Sequence, residues 1–324
     1  MRRTFRTGRY GRRDGGGTMT IDPQLVELLG VLPDDLFVGD AATARATIDA
    51  GVALLPVLTE LARVEDRTVP GAVDARPARV YRPSEEPGLP VTLFFHGGGF
   101  VIGGLDSHDA LARRIARHAN CVVVSLDYRL APEFPFPAAT EDAFAAYRWL
   151  LDHAGELGAD PARIALAGDS AGATLSATVC LLAREHGLPQ PALQMLWYPT
   201  TGVEGTASQV ENADAPLLTA ASIAWFLDHY FGGRGLDDLG PYARIGTIED
   251  LSGLAPAHVV IAGHDPLRDE GADYAERLRA AGNTVECESF DDMVHGFMSF
   301  VDLVPRCEEC ATGSFAALHR ALHP

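Results

Sequence analysis

The strongest constraint on the fold of this 324-residue chain is an alternation. Short apolar runs at 91–95 (VTLFF), 122–126 (VVVSL), 164–167 (IALA), 193–197 (LQMLW) and 259–262 (VVIA) are separated by stretches of helical periodicity at 107–118, 141–151, 171–184 and 269–281. Runs this short, apolar on both faces, read as buried parallel strands. Strands alternating with helices build a parallel sheet covered on both sides. The fold class is therefore α/β, a mostly parallel central sheet flanked by helices. A last strand is expected over 284–290, followed by a loop at 291–297.

Two regions interrupt the alternation. Residues 21–62 are helical in pattern, with Leu25, Leu28 and Leu29, then Ile48, Val52, Leu55 and Leu58, at three- and four-residue spacings. Between residues 199 and 254 the strand signal lapses, apart from a helix near 220–230, and a break of that length inside an α/β core reads as an inserted lid. The expected organisation is a tail at 1–18, N-terminal cap helices at 19–65, a first core part at 66–199, a cap insertion at 200–253 and a second core part at 254–324.

Charge sorts the partners. Lys and Arg number 26 against 44 Asp and Glu, a net charge of −18, and every one of those cations is Arg. Residues 1–18 carry six Arg, one Asp and five Gly, and so +5, leaving −23 on the rest. With nothing to bury, that block reads as a disordered tail, or as a segment preceding a start at Met19. The acidic body disfavours nucleic acid and anionic lipid as partners. No run approaches the roughly 18 apolar residues of a membrane span, and no apolar secretory signal opens the chain. Five Cys, an odd and scattered number, suit a reducing cytoplasm rather than a disulfide framework. Cys307 and Cys310 have metal-like spacing but no second pair to close a zinc site, so they read as ordinary helix residues.

Chemistry concentrates where strands end. Gly168-Asp-Ser170-Ala-Gly172 lies directly after the 164–167 strand and before a helix. There the flanking glycines permit a sharp turn that projects the Ser170 hydroxyl beside a helix N-terminus. A plain turn with Ser170 as helix cap is the simpler alternative. His96-Gly97-Gly98-Gly99-Phe100 follows the 91–95 strand, and consecutive glycines let backbone N–H groups turn inward, as an oxyanion site requires. A phosphate loop is disfavoured, since no G-K-[ST] follows. Asp265 ends the 259–262 strand region and His295 lies after the last expected strand. Of the rivals, His264 points to the opposite face from its neighbour Asp265, and Asp269 sits a helical turn further on. Asp169, Glu141 and Asp142 could tune the site, or serve only as helix N-terminal carboxylates. Phe100, Trp197, Tyr198, Trp225, Phe226 and Phe297 are candidates for an acyl pocket or for plain core.

Together, His96-Gly-Gly-Gly-Phe100, Asp127-Tyr-Arg-Leu-Ala-Pro-Glu133, Phe136-Pro137, Gly168-Asp-Ser-Ala-Gly172, Asp265-Pro-Leu-Arg-Asp-Glu270 and His295-Gly-Phe297 resemble the hormone-sensitive-lipase family of esterases, in its bacterial G-D-S-A-G branch. The resemblance spans roughly 77–300, and the chain order Ser, Asp, His is that of α/β-hydrolases. It implies an α/β-hydrolase core with a helical cap and carboxylester hydrolysis without a cofactor or metal. By matched position, Ser170 is the nucleophile, His295 the base and Asp265 its orienting acid. Gly98, Gly99 and Ala171 are implied as oxyanion donors, with His96 and Gly97 shaping or supporting the turn. Asp127, Tyr128, Arg129 and Glu133 read as a structural network beneath the site.

The expected activity is that of a serine carboxylesterase acting on short- to medium-chain acyl esters through an acyl-enzyme, with a small-molecule ester as its partner. The alternatives are an amidase or natural-product deacetylase on the same site, or a non-catalytic ligand-binding protein. The plant gibberellin receptors resemble this family but lack the catalytic His, which this chain keeps as His295. A cytoplasmic monomer or homodimer is expected.

Overall fold

A computed structural model describes residues 20–32, 37, 39–53, 57–235 and 238–324; the expected tail at 1–18 lies outside these residues, as does Leu55. Its sheet contains β1 (Arg63–Pro70), β2 (Ala75–Arg82), β3 (Leu89–Phe95), β4 (Val122–Leu126), β5 (Ala159–Asp169), β6 (Gln194–Trp197), β7 (Ala257–His264) and β8 (Val285–Val294), in the order β1-β2-β4-β3-β5-β6-β7-β8. From β4 to β8 all neighbours are parallel, while β2 runs antiparallel to both β1 and β4. Every residue of β3, β4 and β6 is buried, which is why these segments lack the period-two pattern of a half-exposed strand.

Nine α-helices are described: α1 (Pro23–Leu29), α2 (Ala41–Val52), α3 (Asp109–Ala119), α4 (Ala138–His153), α5 (Ala171–Glu185), α6 (Ala207–Glu211), α7 (Ala220–Phe231), α8 (Arg268–Ala280) and α9 (Pro305–Leu322). Two apolar clusters form the core, one on each side of the sheet. One gathers α4, α5 and α8 with α2 and α7; the other gathers α3 and α9 with Leu25 and Leu29 of α1. No helix is long and apolar enough to cross a membrane among the described residues.

Three details differ from the sequence expectation. The last strand does not stop at 290: β8 continues through Val294, so His295 follows a strand directly rather than lying inside a loop. Met293 and Val294 are buried at its end, and Val294 pairs with His264, so the ladder carries the strand past the two aspartates. The antiparallel hairpin β1–β2 has no counterpart in the sequence reading, and β1 begins at Arg63, inside the stretch assigned to cap helices. Its alternation of charged and apolar residues sits at the sheet edge, where only Val69 is buried. Finally, α1 packs on the α3–α9 side, so of the two N-terminal helices only α2 joins α7. Between β6 and β7 the described residues contain α6, α7 and short 3-10 turns but no strand.

Candidate active site

Ser170 stands between β5 and α5 with φ 52° and ψ −120°, backbone angles that cost a non-glycine residue about 1–3 kcal/mol. The turn is held by the Ser170 N–H donating to the Trp197 carbonyl at 2.8 Å, one strand over. Its tightness depends on Gly172, where a Cβ would collide with the Phe95 carbonyl of β3. A strained residue at a strand end, with the first turn of a helix behind it, holds its half-buried hydroxyl at the C-terminal edge of the sheet.

The candidate base, His295, arrives from the end of β8. His295 Nε2 is 3.0 Å from Ser170 Oγ, and Nδ1 is 2.8 Å from Asp265 Oδ2. Asp265 is fully buried, so its carboxylate needs donors. The Leu267 N–H donates to Oδ1 at 2.8 Å, leaving Oδ2 for the imidazole. A proton on Nδ1 facing that carboxylate leaves the Nε2 lone pair pointing at the hydroxyl. Tyr198 packs its ring edgewise on His295 at 4.8 Å, a second constraint on the imidazole plane. His264, the rival base, ends β7 in register with Val294, and Asp269 accepts instead from the Ser208 N–H and Arg268.

The glycine turn lies opposite. The Gly97 N–H donates to Asp169 Oδ1 at 2.9 Å and is therefore engaged. The N–H groups of Gly98, Gly99 and Ala171 take part in none of the hydrogen bonds among the described residues. Gly98 has φ +113° and Gly99 φ +58°; a Cβ on the first would strike the Ile102 carbonyl and on the second the Phe226 ring. His96 is buried beneath the turn, stacked on Tyr128 at 4.2 Å, with the Tyr128 hydroxyl donating to the His96 carbonyl at 2.7 Å. Burial, with the charge of His108 nearby, pushes the His96 imidazole down to about 3, so it is neutral at ordinary pH.

Of the residues left open in the sequence, Asp169 is the one the structure ties to the turn. Its burial alone would raise the carboxyl, but His108, His96 and the Gly97 N–H together hold it below the usual carboxylate range. His108 stands 3.4 Å from it and is braced by Ser107 at 2.8 Å. Sequence reasoning missed His108, since nothing in a Ser-His pair before a helix signals a partner sixty residues on. Arg129 and buried Asp142 form a short ion pair below the site, and Glu141 adds a longer contact to the same guanidinium. Of the six aromatic candidates, Trp197 is plain core against Phe315, Tyr198 and Phe297 back His295, and Phe100 lines a cavity. Phe226 covers Gly99, and its neighbour Trp225 donates to the Gly39 carbonyl at 2.9 Å. Cys307 and Cys310 are buried on α9 and, like Cys121, Cys180 and exposed Cys287, are free thiols. No group of three or more metal-ligating side chains occurs among the described residues.

That cavity, of about 90 Å³, borders the site through Phe100, Thr174 and Leu267, and Glu270 forms part of its wall. Glu270 Oε2 accepts from the Thr201 N–H, the Thr201 hydroxyl and the Val203 N–H at 2.9–3.1 Å. Burial outweighs these donors and raises its carboxyl to about 7.

The chain is similar to several known proteins. Residues 92–299 match the model of a family described as alpha/beta hydrolase fold. Carboxylesterase NlhH of Mycobacterium tuberculosis is 47% identical over 310 residues, covering 94% of this chain and 97% of the relative. Esterase LipI of the same organism is 43% identical over 307 residues, 94% and 96% of the two chains. The solved structure of a hyperthermophilic esterase from the archaeon Pyrobaculum calidifontis superposes with a TM-score of 0.88 at 38% identity, covering 93% of this chain and 99% of that one. With a serine, a histidine and an aspartate joined at the strand ends of such a sheet, the chain belongs to this α/β-hydrolase family and is a carboxylic ester hydrolase of the hormone-sensitive-lipase type.

Proposed function

We propose that the chain hydrolyses short-chain acyl esters through an acyl-enzyme on Ser170. The observation that carries this reading is the continuous line from Asp265 through His295 to Ser170, with bonds of 2.8 and 3.0 Å. His295 Nε2 takes the hydroxyl proton as Oγ attacks the ester carbonyl, and returns it to the departing alcohol. Asp265 fixes the tautomer and stabilises the imidazolium. Water, deprotonated by the same nitrogen, then releases the acid and restores Ser170. The charge that develops on the carbonyl oxygen is met by the N–H groups of Gly98, Gly99 and Ala171, for which a single lost donor costs about 3–4 kcal/mol. No cofactor or metal enters any of these steps.

The small cavity of about 90 Å³ beside the site, walled by Phe100, Ile223, Leu227 and Phe231 together with Thr174 and Glu270, supports a preference for short acyl groups. We read α2 and the 200–253 insertion as the cap, with the insertion lining this space, and the remainder as catalytic core. Five free thiols, four of them buried, support a reducing cytoplasmic setting. The test is hydrolysis of p-nitrophenyl esters from acetate to palmitate, wild type beside Ser170→Ala. A Ser170-dependent rate that peaks at or below butyrate supports the reading. A rate that survives Ser170→Ala removes it, and a maximum at palmitate removes the short-chain assignment.

A further inference from the structure

The oxyanion turn is fixed at one end by Asp169, through the Gly97 N–H. Its other end is held from outside the core. Arg45, on α2, donates from Nε to the Val101 carbonyl at 2.7 Å and from Nη2 to the Ala131 carbonyl at 2.6 Å. The same guanidinium grips Glu133 with both outer nitrogens, at 2.8 Å each.

These contacts close a ring around the turn. The N–H groups of Val101 and Ile102 both donate to the Gly98 carbonyl at 3.0 Å, and the Ala131 N–H donates to the Phe100 carbonyl at 2.9 Å. Arg45 therefore pulls on both segments at once, 100–102 and 131–133. The peptide planes of Gly98 and Gly99 lie between two clamped points, Gly97 and Val101. Glycines at positive φ have no side chain of their own to fix those planes, so their orientation is set by what holds their neighbours. Only a planar fork with several fixed donors can serve two carbonyls and a carboxylate together; a lysine ammonium cannot span all three. The orientation of α2 is itself set locally, by Asp40 accepting from the Thr43 N–H at 2.7 Å and by Trp225 bonding to Gly39.

We propose that Arg45 is a positioning residue for the oxyanion donors: by docking α2 on Val101, Ala131 and Glu133 it aims the Gly98 and Gly99 N–H groups. The proposal rests on the reading of these glycines as oxyanion donors given above. It distinguishes Arg45 from an ordinary cap anchor, which would hold substrate without selecting the transition state.

The experiment compares wild type, Arg45→Met, Arg45→Lys and Glu133→Gln. It measures kcat and KM on p-nitrophenyl butyrate and inhibition by a short-chain trifluoromethyl ketone, which forms a serine hemiketal with a charged oxygen. The matching trifluoromethyl carbinol, which cannot form one, is the ground-state control. Arg45→Met is expected to lower kcat by roughly tenfold to a hundredfold, less than the full loss of a donor. The ketone Ki should rise by the same factor, while KM and the carbinol Ki move less than about twofold. Arg45→Lys recovers part of this, and Glu133→Gln, which keeps both carbonyl contacts, shows the same signature at smaller size. If Arg45→Met does not fold, the other two variants decide. A raised KM with an unchanged ketone-to-carbinol ratio overturns the proposal and leaves Arg45 as an anchor. A wild-type enzyme that the ketone does not inhibit overturns the oxyanion reading itself.

Discussion

The floor of the site and its roof are held by different means. On the floor, Ser170, Asp265 and His295 each follow a strand, and β5 and β7 have a hydrogen-bonded neighbour on both sides. The roof is pinned by individual side chains. Ser208 of α6 donates to the Pro266 carbonyl and Asn212 to the Asp265 carbonyl, and Trp225 of α7 reaches Gly39. A ladder of backbone bonds survives the loss of any one side chain, whereas a roof anchor is the side chain. Substitutions on the floor should therefore act on the chemical step, and those on the roof on fit, Arg45 excepted because its contacts reach down to the oxyanion turn.

The sharpest break of that contrast is Ser170→Ala, expected to reduce kcat by a factor on the order of 10⁴ to 10⁶ with the melting temperature little changed. Asp265→Asn comes next. With the buried acceptor exchanged for an amide, the imidazole loses the tautomer that faces Ser170, and kcat should fall on the order of 10⁴-fold with KM nearly constant. Asp169→Ala is third. It removes the nearer of the two acceptors of the buried Gly97 N–H, leaving His108 Nε2 at 3.3 Å, and kcat should drop about tenfold as the turn relaxes. Restoration by Asp169→Asn would confirm that the acceptor, rather than the charge, matters.

Roof substitutions should look different. Phe226→Ala opens the space above Gly99 and is expected to raise KM several-fold, a loss of about 1–2 kcal/mol of apolar contact, with kcat within about threefold. Equal losses in kcat for Phe226→Ala and Asp169→Ala would erase the distinction between floor and roof. The smallest effect concerns Glu270, which fixes the start of the insertion at Thr201 and Val203. Its carboxyl is raised from an ordinary 4.5 to about 7 by burial. Between those values the unfolded chain has released a proton that the folded chain keeps, so this group's stabilising contribution is present below about 4.5 and lost as pH rises through about 7. Melting curves of wild type minus Glu270→Gln should slope downward across that window, and a flat difference would deny the shift.

The floor was legible in the sequence because its signals are local. A strand must be apolar, a sharp strand-to-helix turn must have small flanking residues, and an oxyanion turn must be glycine-rich, so 91–99 and 164–172 announce themselves. Asp265 and His295 were readable for the same reason, although β8 proved longer than its apolar run, since pairing with β7 extends a strand where composition does not. The hairpin β1–β2 was missed because an edge strand rich in Arg and Asp carries little hydrophobic signal.

The sequence by itself determined the alternation of strands and helices from residue 91 onward, the positions along the chain of the residues proposed as nucleophile, acid and base, and the absence of Lys from an acidic body. Tertiary structure alone decided which carboxylate meets which donor. Asp265 and Asp169 are the same residue type at the ends of two nearby strands, yet one orients His295 and the other clamps Gly97. Partners separated by dozens of residues, such as Arg45 with Val101 or His108 with Asp169, leave no periodic trace. Side-chain hydrogen bonds act over about 3 Å in space and are indifferent to distance along the chain.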